Sequence, residues 1–202
     1  MSIAPRRLGM FGGAFDPPHR AHVALAQAAV AQFALDELRV FPTGQAWHRA
    51  HELTLAEHRL AMARIAFAGL PHVVVDDHEL RRPGPTYTVD TLRELRAGDP
   101  AAQLFLVMGE DQASVLTRWH EWRSIVEMAT LLIASRTGPE GDAPPFGAAL
   151  PAGARFFRLQ LPSMPESASA VRERLAGGEG IAHLVPEGVA RYIDHNHLYQ
   201  TA

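Results

Sequence analysis

Apolar residues fall along this chain in two alternating patterns. Leu8–Phe11, Leu38–Phe41, Val73–Val75, Leu104–Met108 and Leu131–Ala134 are short, continuously apolar runs, mostly flanked by turn residues. Such runs read as buried strands, being too short for helices. Phe156–Leu161 makes a sixth. Between them the period changes. Val23, Ala26, Val30 and Phe33 recur at helical spacing, which predicts a helix from about His19 to Ala34. Thr54-Leu55-Ala56-Glu57 has the form of a capping box opening a helix that runs to Phe67. Thr88–Leu95 predicts a shorter helix that ends before Gly98. Pro186 suits the first turn of a terminal helix with Val189 and Ile193 facing inward.

Strand–helix alternation of this kind implies an α/β fold, a doubly wound, Rossmann-like parallel sheet with helices on both faces. Polar loops at Thr43–Leu53 and Arg81–Pro85 interrupt it, as does a Pro/Gly-rich stretch over Gly138–Gly153. That stretch, about 138–153, reads as a surface excursion. The expectation is one domain over 1–202, closed by a C-terminal helical segment.

Composition narrows the classes. Of 202 residues, 47% are apolar, ample for a core. Lysine and arginine number 19 against 22 acidic residues, a net charge of −3. That balance argues against a broad basic face for nucleic acid. Cysteine is absent, which excludes disulfides, thiolate metal sites, iron–sulfur clusters and a cysteine nucleophile within these residues. Arg6-Arg7 and the apolar residues after it are cut short by Asp16-Pro17-Pro18, too soon for a signal peptide. The longest uncharged stretch, Ala21–Leu35, is too short to span a bilayer. The expectation is a cytoplasmic protein that engages neither membrane nor nucleic acid.

In open parallel sheets ligands bind beyond the carboxyl ends of the strands. After the first strand comes Gly12-Gly13-Ala14-Phe15-Asp16-Pro17-Pro18-His19-Arg20-Ala21-His22. Paired glycines let backbone approach a ligand, and the prolines fix the entry into a helix. His19 and His22, three apart at the helix start, point the same way. They lie where free N–H groups and the helix dipole already favour an anion. The arrangement suits a phosphate that gains charge during reaction. It is not a Walker loop, and no Gly-x-Gly-x-x-Gly fingerprint is present. Near the other end, Ser167-Ala168-Ser169-Ala170-Val171-Arg172 opens a second helix with Val171 and Leu175 on its buried side. Ser169 and Arg172 share one face of its first turn, again suited to phosphate oxygens. By itself this reads more readily as a serine-capped surface helix with a solvated arginine.

A flat aromatic partner is what an electron-poor ring needs, and Trp119 is the best-placed indole in a strand-following loop. Thr88 could donate to a ligand or simply cap its helix. Trp122 reads as packing. The remaining histidines, including His48, His58, His72, His78 and His183, read as surface or local structural residues, and their spacing forms no metal site.

Gly-Ala-Phe-Asp-Pro-x-His-x-x-His resembles the signature of nucleotidyltransferases that share the HIGH-type histidine motif with class I aminoacyl-tRNA synthetases. Ala21 stands where that pattern usually has glycine. Ser167–Arg172 resembles the Ser-x-Ser/Thr-x-x-Arg motif those enzymes use on the ATP β- and γ-phosphates. Pro85-Thr86-Tyr87-Thr88 through Leu92, Met108-Gly109-Glu110-Asp111 and Trp119-His120 are similar to segments of nicotinate-nucleotide adenylyltransferases. Pro42–Arg49 is a looser match, since many members carry asparagine, paired prolines and lysine there.

The resemblance implies transfer of AMP from ATP to nicotinate mononucleotide, giving deamido-NAD and pyrophosphate by direct in-line displacement. It assigns catalysis to His19, His22 and Arg172. It assigns ATP binding to these three with Gly12, Gly13, Ala14, Phe15, Gly109, Asp111, Ser167 and Ser169. Tyr87, Thr88, Trp119 and His120 would take nicotinate mononucleotide. Mg²⁺ would enter mainly through the ATP phosphates, with no dedicated protein metal site. A homo-oligomer is allowed but not indicated. Two other readings stay open: a sister enzyme using phosphopantetheine or nicotinamide mononucleotide, and a non-catalytic nucleotide-binding regulator on the same fold.

Overall fold

The computed structural model describes residues 4–44, 53–134, 151, 153–162, 164 and 166–200. Six parallel strands form one sheet: β1 (Arg7–Gly13), β2 (Glu37–Pro42), β3 (Val73–Val75), β4 (Gln103–Gly109), β5 (Ala129–Ala134) and β6 (Phe156–Leu159). Their spatial order is β3-β2-β1-β4-β5-β6. The helices are α1 (Arg20–Phe33), α2 (Ala56–Phe67), α3 (His78–Arg81), α4 (Thr88–Gly98), α5 (Glu110–Ser114), α6 (Trp122–Met128), α7 (Ala168–Ala176) and α8 (Glu187–His195). A 3₁₀ turn spans Leu116–Arg118. The doubly wound parallel sheet expected from the sequence is present.

The strands pleat, so alternate residues feed two cores. Phe11, Phe105, Val107 and Leu132 pack with residues of α1, α2, α7 and α8 on one face. Leu8, Met10, Leu104, Leu106, Leu131 and Ile133 pack with residues of α4, α5 and α6 on the other. Burial on both faces explains why the strands read as unbroken apolar runs.

Strand order reverses between β1 and β4, the topological switch point of such a sheet. β1 pairs with β2 as far as Gly13↔Pro42, but with β4 only as far as Met10↔Leu106. Beyond Met10 the two central strands part, and a crevice opens between their carboxyl ends.

Local boundaries differ from the sequence reading in instructive places. Gly12 and Gly13 belong to β1 itself. His19 is the N-cap of α1, one step before the first helical turn. Thr54 forms no capping box: α2 starts at Ala56 behind Leu55, which makes no side-chain cap bond. The Thr54 N–H is instead donated to Asp16 Oδ2 at 3.2 Å, a tertiary bond that outcompetes the local one. Tyr87, not Thr88, is the N-cap of α4, so the capping alternative for Thr88 falls. The expected loop from Arg81 begins within α3, a single turn too short to carry a periodic signal. The Gly138–Gly153 stretch, apart from Pro151 and Gly153, and positions 45–52 of the Thr43–Leu53 loop lie outside the described residues.

Candidate active site

The crevice at the switch point widens into a cavity of about 680 Å³. Its floor is the carboxyl end of β1 and β4, including Gly12, Gly13, Met108 and Gly109. Gly13 leaves room for the Phe15 ring, which folds back under the loop with φ +50°: a Cβ there would stand 3.1 Å from the ring and press on it.

One end of the cavity is built on α1. His19 is buried and His22 partly buried. Their imidazoles stack with centroids 3.7 Å apart. The His19 backbone N–H donates to His22 Nδ1 at 3.1 Å. With Nδ1 accepting, the neutral ring carries its proton on Nε2, where it can donate to a ligand. Burial, and secondarily the neighbouring His19, hold the His22 pKa well below the usual imidazole value. In the free protein His22 is therefore a neutral hydrogen-bond donor near pH 7.

α7 meets this end from the far side of the sequence. Arg172 Nη1 donates to the main-chain carbonyl of Asp16 at 2.7 Å, and Nη2 to Ser169 Oγ at 3.3 Å. The two phosphate-type motifs, 156 residues apart, are thus physically joined. Ser167 caps α7, its Oγ accepting from the Ala170 N–H at 3.1 Å. Ser167 and Arg172 line the cavity; Ser169 is exposed and outside the lining.

Two residues that the sequence reading missed organise this end. Asp16, 2% exposed, accepts from the Thr54 N–H on one oxygen and from the Tyr199 hydroxyl, at 2.6 Å, on the other. Arg59 donates to the carbonyls of Thr54 (2.9 Å), Ala14 (3.0 Å) and Thr43 (2.8 Å), tying the loops after β1 and β2 together. A signal for Arg59 existed. It precedes Met62, Ala63, Ala66 and Phe67 at helical spacing, so a charge sits on the apolar stripe of α2.

The other end is lined by Glu79, Thr86, Tyr87, Thr88, Trp119 and His120. The Tyr87 and His120 rings lie 4.4 Å apart, tilted by 36°, and Trp119 packs against the core formed with α4, α5 and α6. Among the described residues the Thr88 hydroxyl takes no partner, and Thr86 Oγ1 is buried without one. Gly44 presses on both Thr86 and α3: a Cβ there would stand 2.8 Å from Thr86 Oγ1 and collide with the Glu79 carbonyl. Glu79, also missed, is buried and accepts from the Thr91 hydroxyl at 2.7 Å. Burial raises its pKa to about 7, against the Thr91 bond and Arg82, which lower it; Glu94 and Asp76 add a smaller upward push.

The remaining expected nucleotide contacts, Ala14, Phe15, Gly109 and Asp111, also line the cavity. Trp122 packs on the α4–α6 core, with Arg123 over its ring at 4.8 Å. His58 pairs with the Tyr192 hydroxyl, His72 with the Asp36 carbonyl and His78 with Glu94. His48 lies outside the described residues. No described group of three or more His, Asp or Glu residues could hold a metal ion, and no described helix is long and apolar enough to cross a membrane.

The chain is similar to known proteins over nearly its whole length. The family described as cytidylyltransferase-like matches residues 10–174. A protein of Albidiferax ferrireducens named probable nicotinate-nucleotide adenylyltransferase is 54% identical over 98% of this chain and all of its own length. One of Methylibium petroleiphilum with the same name is 43% identical over 98% of this chain and 95% of its own. The structure of Plasmodium falciparum nicotinic acid mononucleotide adenylyltransferase complexed with NaAD superposes with a TM-score of 0.77, at 19% identity, over 96% of this chain and 97% of that one. At that identity the likeness concerns the fold. From the family match and the close relatives, the chain belongs to the cytidylyltransferase-like family and, within it, to the nicotinate-nucleotide adenylyltransferases.

Proposed function

We propose that this protein transfers the AMP moiety of ATP to nicotinate mononucleotide, releasing pyrophosphate and forming deamido-NAD, as one domain over 1–202. The observation that carries the reading is the juxtaposition of His22, His19 and Arg172 at one end of a cavity whose other end is aromatic and polar. The names of the close relatives point the same way.

The nucleophile is a phosphate monoester with a second pKa of about 6, largely ionised at pH 7 without a dedicated base. Catalysis then consists of placement and charge stabilisation, with no covalent intermediate on the protein. The Nε2–H of neutral His22, with His19 beside it, donates to the α-phosphate as charge accumulates. Ser167, Arg172 and, after rotation of its side chain, Ser169 hold the departing pyrophosphate. Gly12–Phe15, Gly109 and Asp111 line the adenosine. Trp119 and Tyr87 flank the pyridine, while Thr88 and the backbone near His120 donate to its carboxylate.

Mg²⁺ fits this site as a phosphate-borne ion. Glu166, next to Ser167 in the chain and lining the cavity, keeps one buried side-chain oxygen without a partner among the described residues. One carboxylate plus substrate phosphates is a habitual Mg²⁺ environment. The ion would neutralise triphosphate charge. A cytoplasmic location, with small-molecule substrates and no nucleic acid or membrane partner, completes the reading.

The test is pyrophosphate release with nicotinate mononucleotide, nicotinamide mononucleotide and phosphopantetheine offered in turn. Preference for the first is expected. Release with phosphopantetheine alone would make this a sister enzyme, and ATP binding without release would make it a regulator.

A further inference from the structure

The chain does not end at α8. After His195 it turns back on itself through two non-glycine residues in the left-handed region, His197 (φ +51°) and Tyr199 (φ +63°). Such conformations are uncommon and persist only where the surroundings hold them. Here the turn is held by the Leu198 N–H on the Ile193 carbonyl and the His197 N–H on the Asp194 carbonyl, at 3.1 Å each. Its result is that the Tyr199 hydroxyl reaches into the molecule and donates to Asp16 Oδ1 at 2.6 Å, across 183 residues of sequence.

Asp16 is where the phosphate end is assembled. Its second carboxylate oxygen takes the Thr54 N–H, its carbonyl takes Arg172, and only Pro17 and Pro18 separate it from His19. A buried carboxylate with one acceptor site left open would relax toward another donor and carry the loop with it. Tyr199 closes that site. Tyr199 does not line the cavity whereas Asp16 does, so its hydroxyl would act on the site through Asp16.

We propose that Tyr199 is a positioning residue for the transfer step, its hydroxyl fixing Asp16 so that His19, His22 and Arg172 stand in the geometry the reacting α-phosphate requires. The C-terminal turn is then part of the active site and not merely a covering of α2 and α8. This rests on the adenylyl-transfer reading above. Burial first, then the bond to Asp16, drives the phenol pKa upward, so the donor is retained at every working pH.

The test uses the full chain with Tyr199→Phe, which keeps the ring and removes the hydroxyl. The control is Tyr192→Phe, which removes a comparable C-terminal hydroxyl, bonded to His58 at 3.0 Å and away from the loop. Thermal midpoints are recorded for both, and kinetics are run well below either midpoint. Tyr199→Phe is expected to lower kcat roughly tenfold or more, a lost bond to a charged group, with KM for nicotinate mononucleotide nearly unchanged. Tyr192→Phe should lower the midpoint and leave kcat intact. An activity-independent readout accompanies this: the imidazole ring resonances of His19 and His22 should shift in Tyr199→Phe while those of His72 stay in place. Unmoved resonances, or equal kcat losses in the two variants, would overturn the proposal. If the unmodified protein released no pyrophosphate with any acceptor, the functional reading would fail instead, and the resonances would still decide whether Tyr199 holds the loop.

Discussion

The two ends of the cavity are built on opposite plans. At the phosphate end the loop-holding groups are spent on one another, and Glu166 keeps one oxygen without a partner among the described residues. Asp16 is bound from Thr54, Arg172 and Tyr199, and Arg59 holds three carbonyls at once. At the pyridine end the Thr88 hydroxyl and Thr86 Oγ1 have no partners among the described residues, and aromatic packing of Tyr87, Trp119 and His120 supplies the shape. The difference follows from what the proposed function asks of each end. Stabilising a charge that appears only in the transition state favours donors fixed beforehand, so that none has to reorganise during reaction. Choosing between two similar rings favours donors that stay unpaired unless the correct ligand arrives.

The sharpest way to break this contrast is to remove a fixed donor. His22→Ala should cut kcat by about 10²–10³, the usual loss for a transition-state donor, while ATP affinity changes little. Single-turnover kinetics beside an ATP titration would show it. Equal losses in both would mean that His22 serves ground-state binding, and the phosphate end would then resemble the pyridine end.

That contrast also explains what the sequence could and could not reveal. Strands buried on both faces announce themselves as apolar runs, and the His19–His22 and Ser167–Arg172 spacings each sit on one helix start, where position in sequence is position in space. Asp16, Thr54, Arg172 and Tyr199 converge through tertiary hydrogen bonds spanning up to 183 residues, and no local period encodes them. Thr54 shows the cost of reading locally: its pattern with Glu57 fits a capping box, but its N–H is worth more against a buried carboxylate. Glu79 was hidden for a related reason, since a glutamate in a polar stretch gives no hint that a four-residue helix will bury it.

Glu79 offers the next test, because it places a buried carboxyl beside the Thr86 and Thr88 hydroxyls. Its pKa of about 7 when folded lies above the ordinary carboxylate value of 4.5. The folded protein therefore holds a proton more tightly than the unfolded chain. The Glu79 contribution is most favourable below about pH 4.5, declines as pH rises and is fully lost above about pH 7. Glu79→Gln keeps an acceptor for Thr91 but cannot ionise. Its stability relative to the unmodified protein should rise between pH 5 and pH 8 by on the order of 2–3 kcal/mol. Urea unfolding at the two pH values measures this. Parallel stabilities would mean that the Thr91 bond and Arg82 already compensate the burial.

Arg172→Ala sharpens the comparison from the phosphate side. If its partners are the outer phosphates, ATP binding should weaken by roughly 1.5–3 kcal/mol, with AMP binding much less affected. The bond to the Asp16 carbonyl is lost too, so turnover should also fall; the ATP–AMP difference isolates the phosphate contact. Calorimetry giving equal losses for both nucleotides would place Arg172 as a loop anchor alone.

The smallest effect is expected at Thr88, where the contrast is most exposed to failure. A carboxylate accepts hydrogen bonds on both oxygens, whereas the corresponding amide presents one acceptor and one donor. Surrounded by the Thr88 hydroxyl and backbone N–H groups, the amide NH₂ would meet donors and leave polar groups unpaired. Discrimination of about 10⁴ in kcat/KM is within reach of sites built on such matching. Thr88→Val preserves shape, and because Tyr87 holds the N-cap position the substitution removes no cap from α4. Removing one donor to a charged group should cut the preference for nicotinate over nicotinamide mononucleotide about tenfold, with KM for ATP nearly unchanged. Comparable kcat/KM values for the two mononucleotides in the unmodified protein would remove the premise. A large loss of ATP binding in Thr88→Val would show instead that the two ends are coupled through the sheet and cannot be assigned separate tasks.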